Sequence, residues 1–350
     1  KKIKILATET YGARANDLMD AFTSELDWKE QVAYTDQLSK LNKKDIVAFA
    51  NKYFQENYVV VLKRKGEDKN IIKVDKPAIT PVETNRDAQS AFVKQVNNMP
   101  ATPVKPVWLD YNKDLQKTTI GPAEVLYVQN KDNSLFRLRY RFETGTWNDK
   151  KLGLAAQYLQ FLSTDKKSAE EITKAFYQIA CSFTVSAATE FTTVTIEGLQ
   201  DNFTKAVTLF EDVLKNCKAD EVALKSLKAR LTKSRTDAKA NKGAIMTGLI
   251  NYARYGQKNP YNYTMSDAEL NSTTADELVT ILHNLNNYAH KILYYGPQPL
   301  AQFTAGLKTV HTIPAAFTAA PAAVKFTNAV QSKNEVLFAD YNMVQSEIRW

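Results

Sequence analysis

The chain has 350 residues, 44% of them hydrophobic, and a formal net charge of +8. That apolar content excludes a disordered polymer and permits one large core or two smaller ones. No run reaches the roughly 20 apolar residues of a membrane-spanning helix, and KKIKILATETYGARANDL has neither the apolar core nor the small-residue cleavage site of a signal peptide, so a soluble chain without a membrane span is expected.

In chain order, YGARANDLMDAFTSELDW (11–28) and NKKDIVAFANKYF (42–54) have helical character, and the β-rich NYVVVLKRKG (57–66) closes the first block. From Glu67 to about Gln116, Pro77, Pro81, Pro100, Pro103 and Pro106 punctuate a polar stretch, which predicts an extended linker because proline blocks helix interiors and central strands. AEVLYVQN (123–130) and SLFRLRYRFETG (134–145), separated by KDN, predict a β-hairpin whose second strand alternates Phe136, Leu138, Tyr140 and Phe142 on one face. KLGLAAQYLQFLSTDKKSAEE (151–171) predicts an amphipathic helix, a polar turn and a second helix start.

A second hairpin is expected at CSFTVSAATEFTTVTIEG (181–198), and helices at 201–216, 220–239, 244–256 and 273–285, leading to the strand HKILYYG (290–296). Strands grouped in hairpins and helices grouped in runs predict an α+β two-layer domain with a mostly antiparallel sheet covered by helices. The segments Leu41–Gly66 and Ser272–Gly296 share a polar start, an Asp (Asp45, Asp276), a helix, a Tyr before a strand and a closing Gly. This repeat implies two related domains, the first entered part-way. The expected division is 1–65, the end of one α+β domain; 66–115, a linker; 116–315, a complete domain; and 316–350, an Ala/Pro linker with NEVLFADYNMVQSEIRW as the opening strand of another. A lone strand is not stable by itself, so the chain is expected to be an internal piece of a larger protein.

Two cysteines, Cys181 and Cys217, exclude a C-x-x-C site or a disulfide framework. The histidines His283, His290 and His311 never fall three or four residues apart, so no pair is set on one helical turn to hold zinc. The lysine-rich segment 224–243 contains no aromatic residue, and Leu224, Leu227 and Leu231 keep helical spacing; a solvated helix with one buried stripe is expected, not a nucleic-acid face.

The ordered series GLAAQYLQFLSTDKKSAEEI, SFTVSAATEFTTVTIEGLQDNFTKAVTLFEDVL, HKILYYGPQPL and NEVLFADYNMVQSEIRW resembles the pitrilysin and insulysin type of zinc metallopeptidases. Such inverzincins carry His-x-x-Glu-His on a helix and a distal Glu as third ligand, and their two similar halves typically hold zinc only in the first. On that resemblance Ala156, Leu159 and Gln160 stand where the two His and the Glu would be, and the distal Glu would fall near Lys233 and Ser234. Alkyl groups offer a metal no lone pair. The resemblance therefore implies a non-catalytic half, with no metal or cofactor in this chain and zinc in another half or on a partner subunit.

It further implies that YARYGQKNPYNY supplies Arg254 and, seven positions on, Tyr261, to hold substrate carbonyls and the developing oxyanion; Tyr263 or Tyr255 could be the functional ring instead. A surface cation and a Tyr packed beside Pro260 are the plainer alternative. The expected function is to enclose and orient a peptide for proteolysis by the other half, in a periplasmic or secreted enzyme. The alternatives are a non-enzymatic structural or binding protein, or the zinc-free subunit of a two-chain peptidase. The expected partners are thus the zinc-bearing half and a peptide, with no nucleic acid.

Overall fold

The structure, a computed structural model, describes residues 1–66, 71–72, 74–81, 85–342 and 346–349. Two compact units emerge: Lys1–Arg14 with Asp110–Trp350, and Ala15–Leu109.

The smaller unit contains most of α2 (Tyr11–Thr23), then α3 (Trp28–Leu38), α4 (Lys43–Tyr53) and α5 (Ala91–Asn97). The single helix expected over 11–28 is two, because Glu25 takes a left-handed φ of 53° and Asp27 then caps α3 by accepting from the Lys29 N–H at 2.7 Å. At α4, Asn42 and Asp45 form a reciprocal capping box. The strand expected at 57–66 is not one. A ladder needs a neighbouring strand, and among the described residues none pairs with this run, whose Val59 and Val61 are 90% and 87% exposed. The linker is extended in part, but Ser90 caps the helix α5 within it; Glu67–Asn70, Lys73 and Val82–Thr84 lie outside the described residues.

The larger unit begins with α1 (Lys2–Ala7) and is built on six strands: β1 (Gln116–Ile120), β2 (Ala123–Gln129), β3 (Leu135–Phe142), β4 (Cys181–Ala187), β5 (Thr192–Leu199) and β6 (His290–Gly296). Their order across the sheet is β1-β2-β6-β3-β5-β4. Every neighbouring pair is antiparallel except β2 and β6. The architecture is α+β, a mostly antiparallel sheet with one helical layer. A Gly121 φ of 56° permits the tight turn between β1 and β2, a strand pair not foreseen from the sequence. The hairpin expected from β2 and β3 does not form. Instead β6 lies between them, pairing Tyr127 with Tyr294 on one side and Leu138 with Tyr294 on the other. The hairpin of β4 and β5 forms as expected, with Val185 opposite Val194.

Period-2 alternation in β3 buries Phe136, Leu138, Tyr140 and Phe142 and turns Arg137, Arg139 and Arg141 to the other face. The buried face is covered by α6 (Leu152–Tyr158), α7 (Ala169–Gln178), α8 (Phe203–Asn216), α9 (Glu221–Lys239), α12 (Ala275–His283) and α13 (Leu300–Val310). Between α9 and α12 lie α10 (Lys242–Tyr255) and the short α11 (Asp267–Ser272). Spacing explains the packing of α8: Phe203, Ala206, Val207, Phe210, Val213 and Leu214 form one buried stripe. On α9 only Leu224 and Leu227 are buried; Lys225, Lys233 and Lys239 are exposed, whereas Lys228 is half-buried and donates to the Asn271 and Thr273 carbonyls at 3.0 and 2.6 Å. Against the opposite sheet face, the Lys2 ammonium at the start of α1 donates to Ser182 Oγ at 2.9 Å and lies 3.8 Å from Glu197.

After α13 the chain returns to the domain. The Thr318 N–H donates to the Asn287 carbonyl at 2.7 Å, and Phe326 packs on Trp147 at 5.1 Å. The strand expected from 334 onward forms no ladder among the described residues; Met343–Gln345 and Trp350 lie outside them.

Candidate functional site: a groove at the open edge of the sheet

Helix α6 and the tighter turn Leu159–Phe161 that ends it carry Ala156, Leu159 and Gln160, the positions that the resemblance sets against the zinc motif. Tyr158, fully buried, holds this helix end in place. Its hydroxyl accepts from the Asp220 N–H at 2.6 Å and donates to the Asp220 carbonyl at 2.7 Å, joining the end of α6 to the start of α9. Ala156 and Leu159 are 9% and 1% exposed, so both face the interior, whereas Gln160 is exposed and spends its amide on the Gln157 carbonyl at 3.1 Å.

These three residues line a groove of about 440 Å³ with Ile172, Phe176 and Tyr177 of α7 and Phe183 and Val185 of β4. The capping box of α7 sets that wall: Ser168 accepts from the Glu171 N–H, and Glu171 returns the contact to the Ser168 N–H at 2.8 Å. That hydrogen bond holds the Glu171 carboxyl below its ordinary range. Phe183 packs on Phe176 at 4.9 Å and on Phe210 at 5.2 Å, forming the groove floor.

Strand β4 ends the sheet, so one side of its main chain has no strand partner among the described residues. The Ala188 N–H donates to the Phe191 carbonyl at 2.8 Å where the hairpin turns. Antiparallel alternation from that pair directs the main-chain N–H and C=O of Ser182, Thr184 and Ser186 toward β5. Those of Phe183, Val185 and Ala187 therefore face the open edge, beside the groove. The arrangement offers hydrogen bonds to an extended chain and an apolar trough for alternate side chains.

The residues at the motif positions do not fit a zinc ion: two alkyl groups and an amide already used within its own turn replace the imidazole and carboxylate donors that zinc takes. Lys233 and Ser234 are exposed, and Lys233 pairs with Asp237 at 2.7 Å. Among the described residues no three His, Cys, Asp or Glu side chains gather as metal ligands. No metal-dependent step is assigned to this chain. Cys181 touches the groove, but burial pushes its thiol up, as it pushes Cys217 to about 12; neither is a thiolate nucleophile.

Arg254 is exposed in the last turn of α10, and its carbonyl accepts from the Ala329 N–H at 2.6 Å. The next turn uses Gly256, at φ 78°, and is fastened by the buried Asn259, whose Oδ1 accepts from the N–H groups of Tyr261 and Asn262, both at 3.1 Å. Tyr261 is 43% exposed, its ring against Gly248. Tyr255 and Tyr263 instead turn to Phe326, at 6.4 and 5.7 Å. None of these four residues lines the groove. Sequence reasoning missed Tyr177 and the edge residues Phe183 and Val185. A signal existed: adjacent Phe176 and Tyr177 on one helix cannot both face the core, and Tyr177 is 84% exposed.

Residues 126–268 match the sequence model of the insulinase family, peptidase family M16. The inactive domain of an M16 peptidase from Pseudomonas fluorescens superimposes with a TM-score of 0.51 at 19% identity, over 60% of this chain and 54% of that one. The periplasmic protease PqqL from Escherichia coli gives 0.52 at 12% identity, over 83% of this chain and 30% of that one. The ferredoxin protease FusC, in complex with Arabidopsis ferredoxin, gives 0.53 at 10% identity, over 91% and 38%. The chain thus spans about half the length of the first of these and less of the others, and at such identities the likeness is one of fold. No curated protein sequence matches it. The segment 126–268 thus matches the insulinase family, M16, and the chain has the fold of these M16 structures.

Proposed function

We propose that this chain is the non-catalytic half of a zinc endopeptidase and that it encloses and orients a peptide for cleavage by a zinc site in the other half, or on a partner subunit. The observation that carries this reading is the open edge of β4 running beside an apolar groove at the place where the metal donors are replaced. An extended peptide would add to β4 through the main chain of Phe183, Val185 and Ala187 and rest alternate side chains against Phe176 and Leu159. In the catalytic half, zinc would polarise the scissile carbonyl and activate water; this chain would bind and hold the substrate.

Arg254 and Tyr261 belong to this proposal as groups that reach toward the substrate, since both are solvent-accessible and their turn is fixed by Asn259. The compartment proposed is the periplasm or the exterior, in line with the periplasmic PqqL.

The test is Val185→Pro in the protein that joins this chain to its zinc-bearing half. Proline removes an N–H that faces the open edge and leaves the β5 ladder untouched, a place where strands tolerate it. The expected result is a KM for an extended peptide raised about tenfold, the effect of losing roughly one hydrogen bond, with kcat changed far less. An unchanged KM in a folded variant would remove the edge from the mechanism, and tight binding of peptide without any cleavage would favour a non-enzymatic binding protein.

A further inference from the structure

Three titratable side chains far apart in sequence meet in the core, beside the second half of α8. His290, first residue of β6, and His311, which caps the end of α13, are 3% and 4% exposed, and Glu211 comes from α8. The Nδ1 of His290 lies 2.8 Å from the Tyr288 carbonyl. Its Nε2 lies 3.1 Å from His311 Nε2, and His311 Nδ1 lies 2.7 Å from Glu211 Oε1. The Asn286 amide donates to the other carboxylate oxygen at 2.9 Å.

Partners dictate the protons. A carbonyl only accepts, so His290 carries its hydrogen on Nδ1. If it is neutral, its Nε2 is a lone pair, and His311 must donate from Nε2. The Nδ1 of His311 then faces a carboxyl oxygen, a contact satisfied when one further proton lies between them. Three mobile protons thus satisfy all three contacts and leave the cluster with no net charge. A fourth proton on His290 would set N–H against N–H at the His290–His311 contact and bury an uncompensated positive charge. The titratable groups facing the pair are Tyr140 from β3, stacked on His311 at 4.1 Å, and Glu211 from α8. Phe142 and Phe317 close the remaining sides of His290 at 4.8 and 5.1 Å. Lys291, Arg141 and Glu124 lie on the opposite face of the sheet. Glu211 is already engaged by His311 and Asn286, so no unengaged anion faces His290 on this side of the sheet.

The same residues hold the chain leaving α13. Phe317 packs on His290, and Thr318 bridges to Tyr288, the residue whose carbonyl His290 grips.

We propose that His290, His311 and Glu211 form an acid-sensitive latch, which fastens segment 312–318 to the start of β6 while His290 is neutral and releases it when His290 takes a proton. Burial, the principal cause, lowers the His290 pKa from 6.5 to about 4, in keeping with a neutral ring in the closed state. The opened ring would titrate at its ordinary value, so acidification favours opening. From pH 7.5 to pH 5 the opening equilibrium should rise roughly 30-fold by proton linkage between those two values.

The experiment is amide hydrogen exchange on the whole chain at pH 7.5 and pH 5, with rates normalised to intrinsic exchange. The Thr318 amide, which donates to the Asn287 carbonyl, should lose protection by about that factor while β3 holds, and in His290→Gln, which keeps an acceptor for His311 but cannot charge, it should remain protected at both pH values. Equal protection of the wild-type Thr318 amide at the two pH values, or an equal loss in His290→Gln, would overturn the proposal. Should that variant fail to fold, nitrogen NMR of the imidazoles in the wild-type chain decides: the latch requires a neutral, Nδ1-protonated His290 at pH 7, and an Nε2-protonated one refutes it.

Discussion

The Tyr158 hydroxyl grips both main-chain groups of Asp220, accepting at 2.6 Å and donating at 2.7 Å, and this one contact ties the end of the motif helix to the start of the long basic helix. Tyr158→Phe leaves both Asp220 groups without that partner. Because Asp220 is exposed, water recovers part of the loss. The expected destabilisation is about 1–2 kcal/mol in urea unfolding, with the fold retained by circular dichroism; a neutral result would mean that α6 is held by packing alone.

Leu159 stands where the resemblance would place a catalytic Glu, yet it is a core residue, 1% exposed. Leu159→Glu buries a carboxyl against Phe176, Leu162 and their neighbours. It should cost about 3–5 kcal/mol at pH 7, with part recovered on acidification, since a buried carboxyl has a raised pKa and is accommodated better once protonated. Urea unfolding at pH 7 and pH 5 measures both. An unchanged stability would show that the groove is open to water down to its floor.

His290 gives a defined acid response. Its pKa is about 4 folded and 6.5 unfolded. Above pH 6.5 neither state binds the proton and this stability is fully present; between 6.5 and 4 the unfolded chain binds it and the folded chain does not, so stability falls as pH falls. The total is about 3 kcal/mol. Glu171, Glu269 and Glu277, whose pKa values their caps lower, lose their contribution only further down, as pH falls through their folded values. The difference in urea midpoint between wild type and His290→Gln should therefore change between pH 7.5 and 4.5; a constant difference would contradict a titrating His290.

At Gly198 an added Cβ would overlap Cys181 Sγ and meet the main chain of Ala180 and Cys181 at 2.7 and 2.8 Å. Main chain cannot yield as a side-chain tip can. Gly198→Ala should cost about 1–3 kcal/mol through overpacking between β4 and β5, read as a lower thermal midpoint. A midpoint equal to wild type would show that the edge strand shifts freely, and the groove with it.

What the sequence determined by itself was local. Alternation named the buried face of β3, helical spacing named the stripes of α8 and α9, and the run 290–296 is β6 from end to end. The open edge of β4 could be read only as half of a hairpin. Pairing is nonlocal, so neighbouring strands in sequence suggested a β2–β3 hairpin, while the sheet inserts β6, more than a hundred residues on, between them. The run 57–66 shows the same limit from the other side: β-rich composition makes no strand where no partner donates hydrogen bonds. Tertiary structure alone decided that Ala156 and Leu159 line a groove beside an unpaired edge, and that Glu211, His290 and His311 come within hydrogen-bond distance of one another. Both depend on side chains brought within a few ångströms by the packing of separate elements, and no periodicity along one segment records such a meeting.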